Sequence, residues 1–149
     1  MTSLATPKEL MTRYCAMLDL VNQGQRDAAF EALTALYMED MRFSDPVSQL
    51  DSRHAFIRMN QRFVRSAKTL VFTVLDQAAT QDSFFVAWHM RYVPKRTFIP
   101  GIDCEGATWC STQDGLITDH RDYWDLASGL AGSNPLVSKL YRGAIEKVM

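Results

Sequence analysis

Hydrophobic residues recur every three or four positions at the start of the chain, and this spacing predicts an amphipathic helix. Thr6 and Glu9 have the spacing of a capping box, and Pro7 suits the first helical position. The turn-forming segment Asn22-Gln23-Gly24 ends the helix. The buried side of this helix is predicted to hold five residues: Leu10, Tyr14, Met17, Leu18 and Val21.

Two more helices are predicted in the first half of the chain, from about Arg26 to Met38 and from about Ser52 to Ser66. Between them, Met41, Phe43 and Asp45 alternate with polar residues before a proline ends the segment. We therefore expect these three side chains to point the same way. The apolar sides of the two helices are predicted at Phe30, Leu33, Leu36 and Tyr37, and at Phe56, Ile57, Asn60, Phe63 and Val64.

The second half of the chain has the pattern of β-strands. Long candidates run from Thr69 to Ala79, from Ser83 to Val93 and from about Thr97 to Thr112, with polar breaks between them that suit hairpins. A closing strand from Leu116 follows the turn Gln113-Asp114-Gly115. Helices followed by strands indicate an α+β fold, in which the helices pack on one face of a curved antiparallel sheet.

The candidate strand from Ser83 to Val93 is apolar on one side and mixed on the other. The apolar side holds Phe84, Val86, Trp88, Met90 and Tyr92. The mixed side holds Phe85, Ala87, His89 and Arg91. A half-apolar outer face indicates a second covering surface, so we expect a homodimer that forms through the outer face of the sheet.

The closing strand carries titratable groups on both of its faces. His120, Asp122 and Trp124 should share one face. The other face would hold Asp119, Arg121, Tyr123 and Asp125. Because an unpaired charge is costly to bury, this strand indicates a pocket lined by polar groups rather than a plain core.

Composition narrows the class of protein. A chain of 149 residues is most simply one domain, 1–149, with a core at about 8–127 and a C-terminal helical extension at 134–149. The extension would begin at Asn134-Pro135. Its apolar side is predicted at Leu136, Leu140, Ala144 and Val148. With 16 Lys plus Arg against 17 Asp plus Glu, we expect no nucleic-acid partner.

Cysteine usage and hydropathy give an expected location. Cys15, Cys104 and Cys110 cannot all pair with one another, which favours a reducing compartment. The first residues have no apolar signal core, and no apolar run is long enough to span a membrane. We therefore expect a cytoplasmic protein with no membrane partner.

The order of elements and two short motifs resemble a known family. Helix, helix, "YMEDMRFSDP" (37–46), helix, three strands and "DGLITDHRDYWD" (114–125) together resemble the NTF2-like superfamily, in its SnoaL-like and ketosteroid-isomerase-like branch. The resemblance covers about residues 8–127. It implies a cone, in which a strongly curved antiparallel sheet wraps around three helices of the N-terminal half and encloses a pocket. It also implies dimerisation through the outer sheet face.

Two enzyme branches of that superfamily suggest residue roles. By resemblance to ketosteroid isomerase, Asp45 takes the place of the general base and Tyr14 that of the oxyanion-stabilising tyrosine. The second oxyanion donor of that family is a protonated aspartic acid, whereas Ala107 or a neighbour stands there here. By resemblance to limonene-epoxide hydrolase, Asp122 takes the place of a catalytic carboxylate. The Arg-x-Asp pair of that family is missing at Val86-Ala87-Trp88.

Four residues are therefore candidates for catalysis, and each has a structural alternative. Asp45 would act as an acid or base, or it would cap the turn at the following proline. Tyr14 would stabilise an oxyanion, or it would be a core tyrosine whose hydroxyl bonds a nearby group. Asp122 and His120 would form an acid–base pair with Asp45 across a pocket, or bind a polar ligand group; otherwise Asp122 would form a buried salt bridge with an arginine of the helices.

The same resemblance and the apolar stripes suggest a ligand. Walls for a small, mostly apolar or carbonyl-containing molecule are predicted from Trp88, Trp124, Phe84, Met90, Tyr92, Phe43 and Phe63, although such a stripe is also typical of a core. His54 is predicted at a helix start and His89 outside, so the histidines lack metal-ligand spacing. We expect no metal and no cofactor.

The sequence leaves two classes of function open. One is a cofactor-free isomerase or cyclase that acts next to a carbonyl, with hydrolysis of an epoxide or another bond as the second chemistry. The other is a non-catalytic module for ligand binding or dimerisation.

Overall fold

The computed structural model describes residues 3–131 and 135–149. Over these residues the chain forms helices first and then a sheet, as the sequence predicts. The predicted cap residue Asn134 lies outside the described residues. The elements in chain order are α1 Pro7–Asn22, α2 Arg26–Leu36, β1 Tyr37–Ser44, β2 Gln49–Leu50, α3 Arg53–Ser66, β3 Ala67–Ala79, β4 Ser83–Pro94, β5 Ile102–Gln113, β6 Leu116–Trp124, α4 Leu126–Ala131 and α5 Pro135–Glu146.

The strands form one curved, unclosed sheet in the order β2-β1-β6-β5-β4-β3. All neighbours are antiparallel except β1 and β6, which run parallel. The turn between β5 and β6 has positive φ at both Asp114 (51°) and Gly115 (75°), a conformation that suits a tight hairpin. This order places β6, the polar closing strand, in the middle of the sheet.

The capping box of α1 is confirmed. Thr6 Oγ1 accepts a hydrogen bond of 3.2 Å from the Glu9 amide, and the Glu9 carboxylate accepts one of 2.7 Å from the Thr6 amide. The helix then packs against β3 and β4 and buries four of the predicted residues, with Val21 partly buried. The cap thereby fixes the residue at which the helix begins, and Tyr14 of this helix faces the sheet.

Two predicted boundaries are wrong. The second helix ends at Leu36, not at Met38, because Tyr37 already pairs with Ile117 of β6 and starts β1. The third long strand begins at Ile102, not at Thr97, because residues 95–101 form a loop that contains a proline. The sequence analysis did not predict β2 or α4.

The inner face of the sheet is buried under the helices. α1 and α3 contact the sheet directly, and α2 packs on both of them. The alternation predicted for β4 is confirmed, since all five residues of its apolar side are buried. The faces of β6 are also as predicted: His120 is only 3% exposed, whereas Arg121 and Tyr123 are exposed on the outer face.

The C-terminal helices differ from each other in how they pack. At Gly129 of α4, an added Cβ would lie 3.5 Å from Ile102 and 3.6 Å from Cys104, so α4 lies closely on β5. In α5, the predicted apolar residue Leu140 is 67% exposed, and Val148 lies beyond the end of the helix. None of the described helices is long and apolar enough to cross a membrane.

Candidate functional site

A cavity of about 380 Å³ lies between the inner face of the sheet and the helices. Eight aromatic side chains contribute to its lining: Tyr14, Phe30, Phe43, Phe56, Phe63, Phe72, Trp88 and Trp124. Polar side chains are few, and they are Asp45, Ser48, Asn60, Thr108, His120 and Asp122. A mostly apolar cavity with a few converging polar groups is the usual form of a small-molecule site.

A chain of hydrogen bonds crosses the wall that the strands form. Tyr37 Oη and His120 Nδ1 are 2.7 Å apart, and His120 Nε2 donates to Asp122 Oδ1 at 2.8 Å. Thr108 Oγ1 donates to the same oxygen of Asp122 at 2.6 Å and accepts from Trp88 Nε1 at 2.9 Å. Two donors therefore hold Asp122 Oδ1, and the described residues give no hydrogen bond to Oδ2.

The register of the strands brings these groups together. Thr108 of β5 pairs directly with Asp122 of β6, and His120 pairs with Phe43 of β1, so the three strands direct the side chains inward. Gly106 is needed beside them, because an added Cβ would lie 2.4 Å from the Trp88 indole. The glycine thus lets the indole lie against β5 and reach Thr108.

His120 is the positively charged member of this series of hydrogen bonds. Burial is the largest single influence and opposes a charge on its ring, but the bonded Asp122 carboxylate and the Cys110 sulfur together outweigh it, and the pKa of His120 is raised to about 10. Both ring nitrogens therefore carry protons at neutral pH, and Nδ1–H donates to Tyr37. His120 and Asp122 form an ion pair at the wall of the cavity.

The two buried tyrosines remain neutral phenols. Burial and the negative charge of Asp122 raise the pKa of Tyr14 well above its usual value. Burial is also the main cause of the raised pKa of Tyr37. The Tyr14 hydroxyl lies 3.4 Å from Thr108 Oγ1, which is long for a hydrogen bond between hydroxyls. Tyr14 is thus a hydrogen-bond donor at the wall of the cavity, and its hydroxyl is only weakly bonded within the protein.

Asp45 lies just after β1 and lines the same cavity. Its Oδ1 accepts hydrogen bonds from the backbone amides of Val47 (2.8 Å) and Ser48 (2.6 Å). This is the turn-capping role that the sequence left as the alternative. The described residues give no hydrogen bond to Oδ2, so the carboxylate is both a cap of the turn and a lining group of the cavity.

Most of the residues that were predicted to contact a ligand line the cavity, but two of them do not. Trp88, Trp124, Met90, Phe43 and Phe63 line it. Phe84 and Tyr92 do not line this cavity, although both residues are buried on the inner face. Phe84 packs 6.0 Å from the Tyr14 ring, in the core beneath α1. Tyr92 stacks on Phe63 and bonds Ser66 at 2.9 Å, behind the lining.

Sequence reasoning missed two polar members of the site. Thr108 is fully buried, and it lies next to Ala107, where the comparison with ketosteroid isomerase had looked for an acid. Strand alternation places Ala107 on the outer face and Thr108 on the inner one. Tyr37 was predicted on the apolar side of a helix, which hid its place on β1 beside His120. A strict period of two across β1 and β5 would have found both residues.

Other candidate groups lie outside the site. The buried partner of Asp122 is His120 rather than an arginine of the helices. His89 faces outward and lies 2.6 Å from Asp103, and His54 is exposed on α3. All three cysteines are free. Within residues 3–131 and 135–149, no group of three or more His, Cys, Asp or Glu side chains could hold a metal ion.

A recess of about 590 Å³ adjoins the cavity. Asp45, Asp122 and Trp124 line both spaces, so the recess and the cavity meet at these residues. The recess is also lined by Glu105 and Arg121 of the outer face. An open groove of about 730 Å³ runs along β1 and β6 and shares Phe43 and His120 with the cavity.

The fold and the cavity define the class of protein. A curved sheet that wraps around helices and encloses an aromatic cavity is the cone of the NTF2-like proteins, as the sequence predicts. The model of the SnoaL-like domain family matches residues 11–120, and the chain belongs to that family. No curated protein sequence is significantly similar to the chain.

Solved structures show the same fold at low sequence identity. An LEH-like epoxide hydrolase of M. tuberculosis is 14% identical with a TM-score of 0.69, over 95% of this chain and 96% of that one. An NTF2-like protein from Burkholderia thailandensis is 14% identical with a TM-score of 0.69, over 82% and 92%. A protein of ketosteroid isomerase-like fold from Catenulispora acidiphila, in complex with trimethylamine, is 21% identical with a TM-score of 0.67, over 87% and 94%.

Proposed function

We propose that the protein binds a small, mostly apolar, carbonyl-containing molecule in the cone cavity and catalyses its isomerisation or cyclisation by acid–base chemistry without a cofactor. The observation that carries this proposal is the convergence of Tyr14, Asp45 and Asp122 on one aromatic cavity. A phenol donor and carboxylates in such a cavity are the groups that proton transfer next to a carbonyl requires.

Each residue has a role in the proposed reaction. The carbonyl oxygen of the ligand accepts a hydrogen bond from Tyr14 Oη, which is held only weakly by Thr108. Asp45 removes the proton from the carbon next to the carbonyl and returns it to another carbon of the ligand. The negative charge that develops on the ligand oxygen is stabilised by the Tyr14 hydroxyl. Asp122 and His120 position the ligand at the wall.

The experiment is a screen of β,γ-unsaturated ketones for conversion to the conjugated isomer, followed by ultraviolet absorbance. With a ketone that turns over, we expect Asp45→Asn and Tyr14→Phe each to lower kcat by about 10²-fold or more. Asp40→Asn, the same change at an exposed residue outside the cavity, serves as the matched control. Turnover that is unchanged in Asp45→Asn would show that Asp45 is not the base.

Epoxide hydrolysis is the second candidate, and the geometry of Asp122 favours it. His120 and Thr108 hold Oδ1 of Asp122, which leaves Oδ2 to activate a water molecule, while Tyr14 donates to the epoxide oxygen. The LEH-like fold of the M. tuberculosis enzyme supports this alternative. In an epoxide screen, diol formation that is lost in Asp122→Asn but kept in Asp45→Asn would favour hydrolysis over isomerisation.

A binding module that carries out no reaction is the remaining alternative. It is supported if ligands bind in the cavity, as measured by calorimetry, but no ketone or epoxide is converted.

We also propose a homodimer through the outer sheet face, where Phe85 and Trp109 stack with ring centroids 5.9 Å apart and remain partly exposed.

A further inference from the structure

We propose that the cavity selects an organic cation, a mostly apolar molecule that carries a protonated or quaternary nitrogen. This inference rests on the proposed binding of a small molecule in the cavity and names the class of that molecule. It does not depend on which reaction follows. The argument comes from the charges and rings of the lining.

The charged side chains of the lining have a negative balance. Among the described residues, the acidic and basic side chains of the lining are Asp45, Asp122 and His120, and no lysine or arginine contributes. Arg58 and Arg62 of α3, the helix that packs over the cavity, are exposed and do not line it. An anionic ligand would therefore lose its water shell without gaining a positive partner, which is costly.

The positive charge of His120 is already neutralised. Its Nε2–H donates to Asp122 and its Nδ1–H to Tyr37, and its side chain is only 3% exposed. No N–H of the ring is left for a ligand. Asp45 has only backbone amides as partners, through Oδ1, so its negative charge is not balanced by a cationic side chain of the lining.

The rings of the lining favour a cation over a neutral group of the same shape. The faces of Trp, Tyr and Phe attract a cation through their quadrupoles, and the attraction grows when water is excluded. Eight such side chains line this cavity, including Trp88 and Trp124. A cationic nitrogen can therefore lie against the rings while Asp45 supplies the opposite charge.

The recess that adjoins the cavity also has more acidic than basic side chains in its lining. It shares Asp45 and Asp122 with the cavity and adds Glu105 and Asp125, against Arg121 alone. A surface of one sign raises the local concentration of ligands of the opposite sign. The recess would thus attract the class of ligand that the cavity holds.

The test uses three phenols of similar shape and different charge: (4-hydroxyphenyl)trimethylammonium, 4-tert-butylphenol and 4-hydroxybenzenesulfonate. Calorimetry at pH 7 and low salt would give their Kd values with the purified protein. We expect the cation to bind about tenfold more tightly than the neutral phenol, the order of one desolvated cation–π contact. We expect the anion to bind more weakly than both.

Two variants test whether Asp45 causes the preference for a cation. In Asp45→Ser, which keeps a hydroxyl acceptor for the turn, the cation should lose most of its advantage while the Kd of the neutral phenol changes less than about twofold. Asp40→Asn should leave all three Kd values unchanged. Equal or tighter binding of the neutral phenol by the unmodified protein would overturn the cation selectivity alone. Failure of all three phenols and of the screened ketones and epoxides to bind would overturn the proposed function as well.

Discussion

At the scale of single residues, one hydroxyl group determines the geometry of the polar wall. Thr108 Oγ1 accepts from the Trp88 indole and donates to Asp122, and it is fully buried. The indole N–H has no other hydrogen-bond partner in the described residues. The position of Asp122 in the cavity therefore depends on a side chain that has no charge and no obvious catalytic role.

We predict that Thr108→Val lowers the free energy of unfolding by about 1–3 kcal/mol, because the valine has the same shape but leaves the Trp88 N–H without its partner and removes one of the two donors to Asp122. Urea denaturation followed by circular dichroism would measure the loss. Thr108→Ser keeps the hydroxyl and should retain the calorimetric Kd of a cavity ligand, which Thr108→Val should weaken. An equal loss of affinity in both variants would contradict this role of the hydroxyl.

The His120–Asp122 ion pair gives the second prediction at this scale, which concerns pH. The pKa of His120 is raised from 6.5 to about 10 in the folded protein, so the folded state holds a proton that the unfolded state releases earlier. The contribution of His120 to stability is therefore complete below about pH 6.5 and is lost as the pH rises towards 10.

Urea denaturation at several pH values would test this dependence. Between pH 6.5 and 10, the free energy of unfolding should fall more steeply for the unmodified protein than for His120→Gln, which cannot titrate at this position. In NMR spectra, the ring signals of His120 should stay those of an imidazolium from pH 5 to 8. A transition of the ring near pH 6.5 would show that the ion pair does not hold the proton.

At the scale of elements, the sequence predicted most of the helices and strands because caps and periodicity are local. The Thr6–Glu9 capping box and the alternation of β4 needed only neighbouring residues. The boundary at Tyr37 was wrong because it depends on pairing with Ile117, which is 80 residues away. Thr108 was missed for the same reason, since only the register with Asp122 gives a buried threonine a polar role.

The C-terminal helix α5 shows that an amphipathic pattern does not by itself mean that the apolar side is buried. Its apolar side was predicted to include Leu140, which is 67% exposed, whereas Leu33 on α2 is 4% exposed. We predict that Leu33→Ala lowers the free energy of unfolding by about 2–5 kcal/mol, as buried leucines do, and that Leu140→Ala changes it by less than about 0.5 kcal/mol. Both are measured by urea denaturation at a low protein concentration. Equal losses would place α5 within the folded core.

At the scale of the whole molecule, the helices cover the apolar inner face of the sheet, and the mixed outer face carries exposed aromatic residues. The inner face encloses the cavity. On the outer face, Phe85, Trp109 and Tyr123 are 43%, 38% and 45% exposed, and the first two stack face to face. Clustered exposed aromatic residues are typical of protein interfaces. A second copy that packs sheet against sheet would cover the aromatic groups of both protomers at once, as two-fold symmetry requires.

We predict that the protein sediments as a dimer and that Phe85→Lys makes it a monomer, because a lysine at this position would bring two like charges together in an apolar interface. Analytical ultracentrifugation at micromolar concentrations measures both states. Asp27→Lys, which adds a lysine on the exposed side of α2, is the control and should remain a dimer. A monomeric unmodified protein, or a dimer that persists in Phe85→Lys with the fold intact, would mean that the outer face is not the interface. Since the cavity is lined by the inner face of the sheet and by the helices, the monomeric variant should still bind the cationic phenol with unchanged affinity.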